Sequence, residues 1–324
     1  MSKHTIQVIQ VGEILAHDNA DSLERTMVYG WQCCLRKGQF KQGDLAVFIP
    51  PDYLVEVARP EFAFLAPRAK NGLARITAMR MRGALSYGLI IPCPEGATVG
   101  ECVMARLGIT QYEPPDKVGM SGDCVSPPLG LNVKFDVENL ERYPAQLVAG
   151  EEVIATEKVH GANARFMLED GKLFCGSRTQ WYAEDSNAVW ALAARKTPGI
   201  RNWCAAHPGA CLYGEVYGPV QELTYGTAGQ VKFAAFAALC QTGYMGQDAL
   251  FESCDAHGVP HMPVVYRGPF DLEKLRALAE QDSVLALPAK QLSEGLVIVP
   301  KHERTHPDIG RVCLKLVSFR YLTK

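Results

Sequence analysis

The chain has 324 residues, 48% apolar and 21% charged, with a net charge of −2 at pH 7. That length favours two domains, each able to bury its own core. The near-neutral balance excludes a protein held on nucleic acid by a global positive field, and no apolar stretch is long enough to span a bilayer.

Met1-Ser2-Lys3-His4-Thr5 leads into a strand pattern rather than a signal peptide, which points to the cytoplasm. The eleven cysteines are odd in number, so reduced thiols are expected. In chain order, Thr5–Val11, Val28–Leu35, Leu45–Ile49, Arg75–Met81 and Gly88–Ile91 are β-rich and bounded by Gly, Pro, Asn and Asp, and are predicted as strands. Five such strands suit a small closed barrel, and the OB-fold is the commonest one that touches nucleic acid. Between Glu61 and Glu95 there is no acidic residue, while Arg68, Lys70, Arg75, Arg80 and Arg82 are basic. They form a candidate nucleic-acid patch, with a solvated strand face as the equal alternative on charge alone.

The run from Glu113-Pro114-Pro115-Asp116 to Ser126-Pro127-Pro128-Leu129-Gly130 is rich in proline, glycine and small polar residues, and is read as the linker. Beyond it, Ala164–Glu169 and Lys172–Gly176 flank Asp170-Gly171, a two-residue hairpin signal. Ser186–Lys196 has helical spacing with Ser186 or Asp185 as N-cap, and Asp271–Gln281 is a second helix capped by Asp271. Strands at Cys211–Val216, Val231–Leu239, Gly295–Val299 and Arg311–Val317 complete an α+β domain with a largely antiparallel core. Cys254-x2-His257-x3-His261 comes nearest to metal-ligand spacing but lacks a fourth ligand, so it reads as a helix end and loop.

Five short patterns carry chemistry: Thr156-Glu157-Lys158-Val159-His160-Gly161-Ala162-Asn163, Ser177-Arg178, Gly214-Glu215-Val216-Tyr217-Gly218, Glu294-Gly295-Leu296-Val297-Ile298 and Leu314-Lys315-Leu316-Val317. An unprotonated lysine can attack a nucleotide phosphate, but a free lysine has a pKa of about 10.4, so its site must favour the neutral amine. Gly161 lets backbone pass where a β-carbon would collide. Alone, Lys-x-His-Gly is a weak signal, more readily read as a chance surface turn; the order of the other four patterns strengthens it.

Element by element, these residues resemble the covalent nucleotidyltransferase superfamily of ATP-dependent ligases and capping enzymes, and Lys-x-His-Gly with a following Asn resembles its RNA ligase branch. Gly30-Trp31-Gln32-Cys33, Arg36-Lys37-Gly38-x-Phe40-Lys41-x-Gly43-Asp44 and Ile49-Pro50-Pro51-Asp52 are similar to the OB domain of the Deinococcus- and Naegleria-type nick-sealing RNA ligases. The resemblance implies residues 1–120 as an OB-fold-like nucleic-acid-binding domain, 121–130 as linker and 131–324 as an antiparallel-sheet, ATP-grasp-like adenylyltransferase domain.

The resemblance also implies roles. Lys158 becomes the adenylylated nucleophile, Glu157 lies near the adenine, Gly161 lets the backbone approach the nucleotide, His160 packs beneath the turn or touches phosphate, and Asn163 serves the phosphate or metal-bound water. Arg178 contacts ribose and later the nick phosphate. Glu215 bonds to the ribose or to metal-bound water, Glu294 organises water around Mg²⁺ or Mn²⁺, Phe236 stacks on adenine, with a core position as its plainer alternative, and Lys315 neutralises the α-phosphate. Two positions depart from the pattern: Ala237 stands where many relatives carry an acid, and Val317 where many carry a second lysine. Arg311 or Arg320 are candidates for the missing charge, or are simply solvated. The chain ends nine residues after Lys315, without the C-terminal OB domain of DNA ligases and capping enzymes.

The implied activity is ATP-dependent sealing of 3′-hydroxyl/5′-phosphate nicks in duplex RNA or an RNA-containing duplex, in RNA repair, by a cytoplasmic monomer. The rivals are an RNA-binding OB protein with an inactive transferase half and a nucleotidyltransferase that joins no strands.

Overall fold

Turn residues and short apolar alternations divide the chain into many brief strands, and the computed structural model describes residues 6–29, 31–51, 53–112, 124–128, 134–306 and 309–324. They fall into two compact units. The first holds the described residues up to 112 together with Leu140–Pro144 and Leu322–Lys324; the second holds the rest.

In the first unit, strands β1 (Val8–Gln10), β2 (Ile14–Ala16), β3 (Leu23–Val28), β4 (Trp31–Arg36), β5 (Leu45–Ile49), β6 (Tyr53–Glu56), β7 (Leu73–Ile76), β8 (Met79–Met81), β9 (Ala84–Ser86), β10 (Leu89–Pro92) and β11 (Thr110–Gln111) are joined by a 3₁₀ segment Pro60–Arg68 and a short helix α1 (Met104–Leu107). They pair as β1-β5-β10, β2-β3-β4, β11-β6-β7 and β8-β9, all antiparallel. The pleat of β5 sends Val47 and Ile49 into a core with Ile6, Val8, Tyr53 and Phe62. Its other face sends Ala46 and Phe48 against Val28, Leu35 and Ile90. A strand buried on both faces must be apolar throughout, which is why Leu45–Ile49 does not alternate.

The second unit is built on two sheets. Strands β12 (Cys124–Val125), β13 (Glu138–Asn139), β14 (Glu152–Glu157), β15 (Ala162–Glu169), β16 (Lys172–Gly176), β17 (Trp181–Ala183), β18 (Cys211–Tyr217), β19 (Lys232–Cys240), β20 (Gly243–Tyr244), β21 (Val264–Pro269), β22 (Gly295–Pro300), β23 (Thr305–His306), β24 (Gly310–Arg311) and β25 (Leu314–Val317) follow in order. Seven of them form an antiparallel sheet, β12-β17-β16-β15-β18-β19-β20, and five form β13-β25-β22-β14-β21, in which only the β13–β25 pair among the described residues is parallel. Helices α2 (Val189–Lys196), α3 (Gly199–Ala206) and α4 (Gln247–His257) pack on the larger sheet, and α5 (Leu272–Ala279) on β22 and β25; α6 (Phe319–Leu322) follows β25. Trp190, Trp203, Tyr213, Phe166 and Phe233 are fully buried in a core that also takes Ile154, Val299 and Cys313 from the smaller sheet and the chain beside it.

Several expectations are corrected. Val28–Leu35 is not one strand: Val28 ends β3, Tyr29 turns with φ 54, and Trp31 starts β4 opposite Val28. Its β-rich composition hides a tight turn. Arg75–Met81 divides between β7, which pairs with β6, and β8, which pairs with β9. Helix α2 starts after Ala188 without a side-chain cap, because Ser186 closes a turn on Ala183 and gives its carbonyl to Arg195 (2.9 Å). Arg311–Val317 breaks into β24 and β25. Of the expected linker, residues 121–123 and 129–130, like 113–120 before it, lie outside the described residues. Cys124–Val125 instead extends the larger sheet along β17, since extended chain readily pairs with an exposed edge. Residues Leu140–Pro144 and Leu322–Lys324 group with the first unit.

The hairpin at Asp170-Gly171 is present, with φ 49 and 73. The end of α4 is closed by Gly258 in the left-handed conformation, and among the described residues no cluster could hold a metal through three or more His, Cys, Asp or Glu side chains. All eleven cysteines are described and free; Cys102 and Cys124 are exposed, while Cys175, Cys204 and Cys211 are buried. Among the described residues no helix is long and apolar enough to cross a membrane.

Asp271 caps α5, its Oδ1 accepting the Lys274 N–H at 3.1 Å. Asp271→Ala should therefore lower stability by about 1 kcal/mol in denaturant unfolding.

Candidate active site

Lys158, His160 and Gly161 form the turn by which the chain leaves β14 in the five-stranded sheet and enters β15 in the seven-stranded one. The turn is tied to both. On one side the Lys158 N–H donates to the Gly295 carbonyl (2.8 Å). On the other, the Gly161 N–H donates to Oε1 of Glu215 on β18 (3.1 Å). A β-carbon at Gly161 would stand 2.3 Å from the Val216 carbonyl oxygen and 2.9 Å from Glu215 Cγ, so glycine is required by proximity rather than by its φ. Gly295 meets the same constraint beside β25: its φ is +140, and a β-carbon there would lie 2.1 Å from the Leu316 carbonyl oxygen.

These close approaches converge the charged side chains. Lys158 Nζ lies 2.7 Å from Glu294 Oε1, with the lysine side chain 23% and the glutamate 10% exposed. Glu294 Oε2 is buried, accepts no hydrogen bond, and lies 3.8 Å from His160 Nδ1. Glu215 keeps some surface open to solvent, yet its carboxyl lies deep enough that burial pushes it up to about 8. Lys158 opposes that rise, the Glu294 charge adds to it, and the Gly161 N–H opposes it. Lys315 sits on β25 between Val297 of β22 and Asn139 of β13. The β22–β25 register therefore brings it onto the strand next to the one that follows Glu294.

The remaining expected residues are more varied. Asn163 pairs with Glu215 across β15 and β18; its carbonyl takes the Trp190 indole N–H (2.9 Å), while its Oδ1 is buried without a hydrogen bond. Arg178 is held by Asp136 (2.7 Å). Phe236 is half-buried, its ring 4.9 Å from that of Phe135, between two core clusters. Glu157 is 2% exposed: its Oε2 accepts the Leu285 N–H (2.9 Å) and its Oε1 is buried without a hydrogen bond. Burial pushes its carboxyl up, against hydrogen bonds from Ser283, Leu285 and Val284.

Arg68, Lys70, Arg75, Arg80 and Arg82 lie on the surface of the first unit, divided between the Pro60–Arg68/β7 stretch and the β8–β9 hairpin. Arg75 lies over the Tyr112 ring at 3.8 Å, and Arg80 donates to the Gly83 carbonyl (3.2 Å). The two departures have physical settings. Ala237 is fully buried in the core, where an unpaired carboxylate would be costly, and Val317 lies opposite Gly295. Arg311 is matched by Glu303 (2.9 and 2.7 Å), and Arg320 by Asp282 (2.9 Å). Arg311 is thus a buried, paired charge, whereas Arg320 is exposed.

Sequence reasoning missed two phenols. The Tyr225 hydroxyl accepts the His160 N–H (2.6 Å), and the Tyr321 hydroxyl meets His160 Nδ1 at 3.0 Å. Neither stands in a short pattern; Tyr225 is marked only by the glycine after it and a φ of 52.

A part-buried and a buried carboxylate near an ammonium, the first raised by loss of hydration and the second with an oxygen lacking a hydrogen bond, suit a hard cation that keeps much of its water. With Lys158 they form a charged cluster of the kind that phosphoryl transfer uses, and Lys315 stands on the neighbouring strand β25.

A sequence profile of the RNA ligase family matches residues 151–317, just over half of the chain, and one described as an OB-fold domain matches residues 4–93. No curated protein matches. Among solved structures, the chain is similar to the Naegleria gruberi RNA ligase with pyrophosphate: TM-score 0.83, 25% identity, covering 99% of this chain and 98% of that one. It has the fold of a variant of that ligase with ATP and manganese (TM-score 0.84, 24% identity, 98% of each chain) and of one with AMP and manganese (0.84, 24%, 98% of each).

Gly161→Ala should cost about 1–3 kcal/mol in denaturant unfolding, because the Val216 strand cannot yield without breaking the hydrogen bond to Glu215.

Proposed function

The chain belongs to the RNA ligase family, and from that premise we propose that it uses ATP to seal 3′-hydroxyl/5′-phosphate nicks in duplex RNA or an RNA-containing duplex. The observation that supports this reading best is Lys158, held 2.7 Å from Glu294 at a turn that also receives Glu215. ATP, AMP and manganese occur with the Naegleria gruberi ligase or its variants, and the two carboxylates here have the chemistry for such a cation.

Attack needs the lysine lone pair, so the ammonium proton must leave, and Glu294 Oε1 stands within reach of it. The Lys158 nitrogen then bonds to the α-phosphorus, the bond to the bridging oxygen breaks, and pyrophosphate departs. Next, a 5′-phosphate oxygen displaces lysine from the adenylate, making a 5′-5′ linkage and returning the amine. Finally the 3′-hydroxyl, losing its proton, attacks the 5′ phosphorus and AMP leaves.

In these steps Lys315 counters charge on the α-phosphate, Arg178 serves the ribose and nick phosphate, and Gly161, His160 and Asn163 line the phosphate path. Phe236 stacks on the adenine, with Glu157 holding the Ser283–Leu285 backbone beside it. Glu215 and Glu294 would hold a divalent ion through water, which supplies charge neutralisation when bound. Arg68, Lys70, Arg75, Arg80 and Arg82 of the first unit contact the nucleic-acid backbone. The eleven free thiols suit a reducing cytoplasm, and a monomer suffices for the chemistry, with RNA repair as its setting.

Intact mass after incubation with ATP and Mg²⁺ should show one adenylate on the wild type and none on Lys158→Ala; adenylate on that variant would place the nucleophile elsewhere. A wild type that carries adenylate but leaves a nicked duplex unjoined would instead favour a transferase without ligation. Replacing Arg80 and Arg82 by alanine should weaken duplex binding. It should also reduce the slope of log K against log salt by about 0.7–0.9 for each phosphate no longer neutralised, read by fluorescence anisotropy.

A further inference from the structure

The last residues of the chain reach the Lys158–Gly161 turn through groups that none of the proposed steps uses. After β25, the Ser318 N–H donates to the Glu294 carbonyl (3.0 Å), tying the outgoing chain to the residue that holds the amine. The Glu280 carboxylate, just past α5, then accepts the N–H groups of Phe319 (2.6 Å) and Arg320 (3.1 Å) and the Ser318 hydroxyl (3.2 Å). Arg320 reaches back to the Glu280 carbonyl (2.8 Å). Such charge-assisted bonds satisfy backbone donors that a helix start leaves unpaired. Their effect here is to fix where the next residue, Tyr321, stands.

The Tyr321 hydroxyl lies 3.0 Å from His160 Nδ1, and the two rings meet edge-on at 5.4 Å. The same nitrogen lies 3.8 Å from Glu294 Oε2, whose partner oxygen holds Lys158. A glutamate tip turns easily about its last bond, because that torsion is broad and nearly two-fold. Oε1 is gripped by Lys158, whereas Oε2 accepts no hydrogen bond and has the imidazole Nδ1 3.8 Å away.

We propose that Tyr321 is a positioning residue for the nucleophile: acting through His160, it sets the rotation of Glu294 and so the direction of the Lys158 amine, with Glu280 as its anchor. This rests on Lys158 being the adenylylated residue. Attack on phosphorus is sensitive to direction, and a misplacement of about 1 Å can cost ~100-fold in rate.

Single-turnover adenylylation, measured with labelled ATP over a range of ATP concentrations, tests the proposal. Tyr321→Phe keeps the ring and removes only the hydroxyl. It should lower the maximal rate about ten- to a hundredfold, with the half-saturating ATP concentration unchanged. Combined with His160→Ala, the same change should cost nothing further, since coupling through one partner disappears when that partner is absent. Glu280→Gln should show the same split between rate and saturation. A wild-type rate in Tyr321→Phe would overturn the proposal, as would an equal loss in both His160 backgrounds, or a loss confined to ATP saturation. Lys158→Ala run in parallel separates the two ideas: adenylate there sinks the nucleophile assignment, whereas its absence with an unaffected Tyr321→Phe sinks only the positioning role.

Discussion

The contact between Lys158 and Glu294 is the constraint around which the second unit is arranged. A cation and a carboxylate, both mostly withdrawn from water, must meet from strands that belong to one sheet while the lysine's own chain departs for another. That demands a crossing with almost no room, and the chain supplies it with Gly161 against Val216 and Gly295 against Leu316. Bulkier residues at either point would separate the strands before the charges could pair. The geometry of this turn is therefore set by backbone proximity first and by side-chain chemistry second.

The same proximity explains why Glu215 sits so far above the usual carboxylate range. It shares a confined space with Glu294, and only Lys158 and one backbone N–H offset the loss of hydration. Sites of this kind hold groups in protonation states that water would not allow, which is a common mark of functional chemistry. Glu157, the residue before Lys158, shows how alternation divides roles. One residue before the amine, its carboxylate is spent on the Ser283 hydroxyl and the Val284 and Leu285 N–H groups.

Much of this was legible in the amino-acid order. The strand pairs flanking Asp170-Gly171, the cap at Asp271 and the apolar run of β5 follow from local propensity and pattern, and the structure has each of them. The Lys158, Glu215, Glu294 and Lys315 patterns are legible through their fixed order and its resemblance to a known superfamily, none of them carrying meaning alone, and three of them meet at one turn. What failed were boundaries and long-range partners. The turn at Tyr29 is hidden in β-forming residues, and the strand Cys124–Val125 is hidden in a proline-rich stretch; in both, pairing outweighed composition. Tyr225, Asp136 and Tyr321 could not be read at all, because a lone phenol or carboxylate acquires meaning only when folding brings it to a partner tens of residues away.

The distribution of thiols has a practical consequence. Buried cysteines such as Cys175 and Cys211 are pushed by loss of hydration to about 12 and remain unreactive thiols at ordinary pH. Exposed sulfur remains at Cys102 in the first unit and at Cys124 in the second. Maleimide dyes at those two positions, with the half-buried Cys34, Cys93 and Cys240 replaced by serine, would turn the natural chain into an energy-transfer ruler. The distance between the units, and its change as nucleotide or duplex binds, then becomes a quantity read in solution.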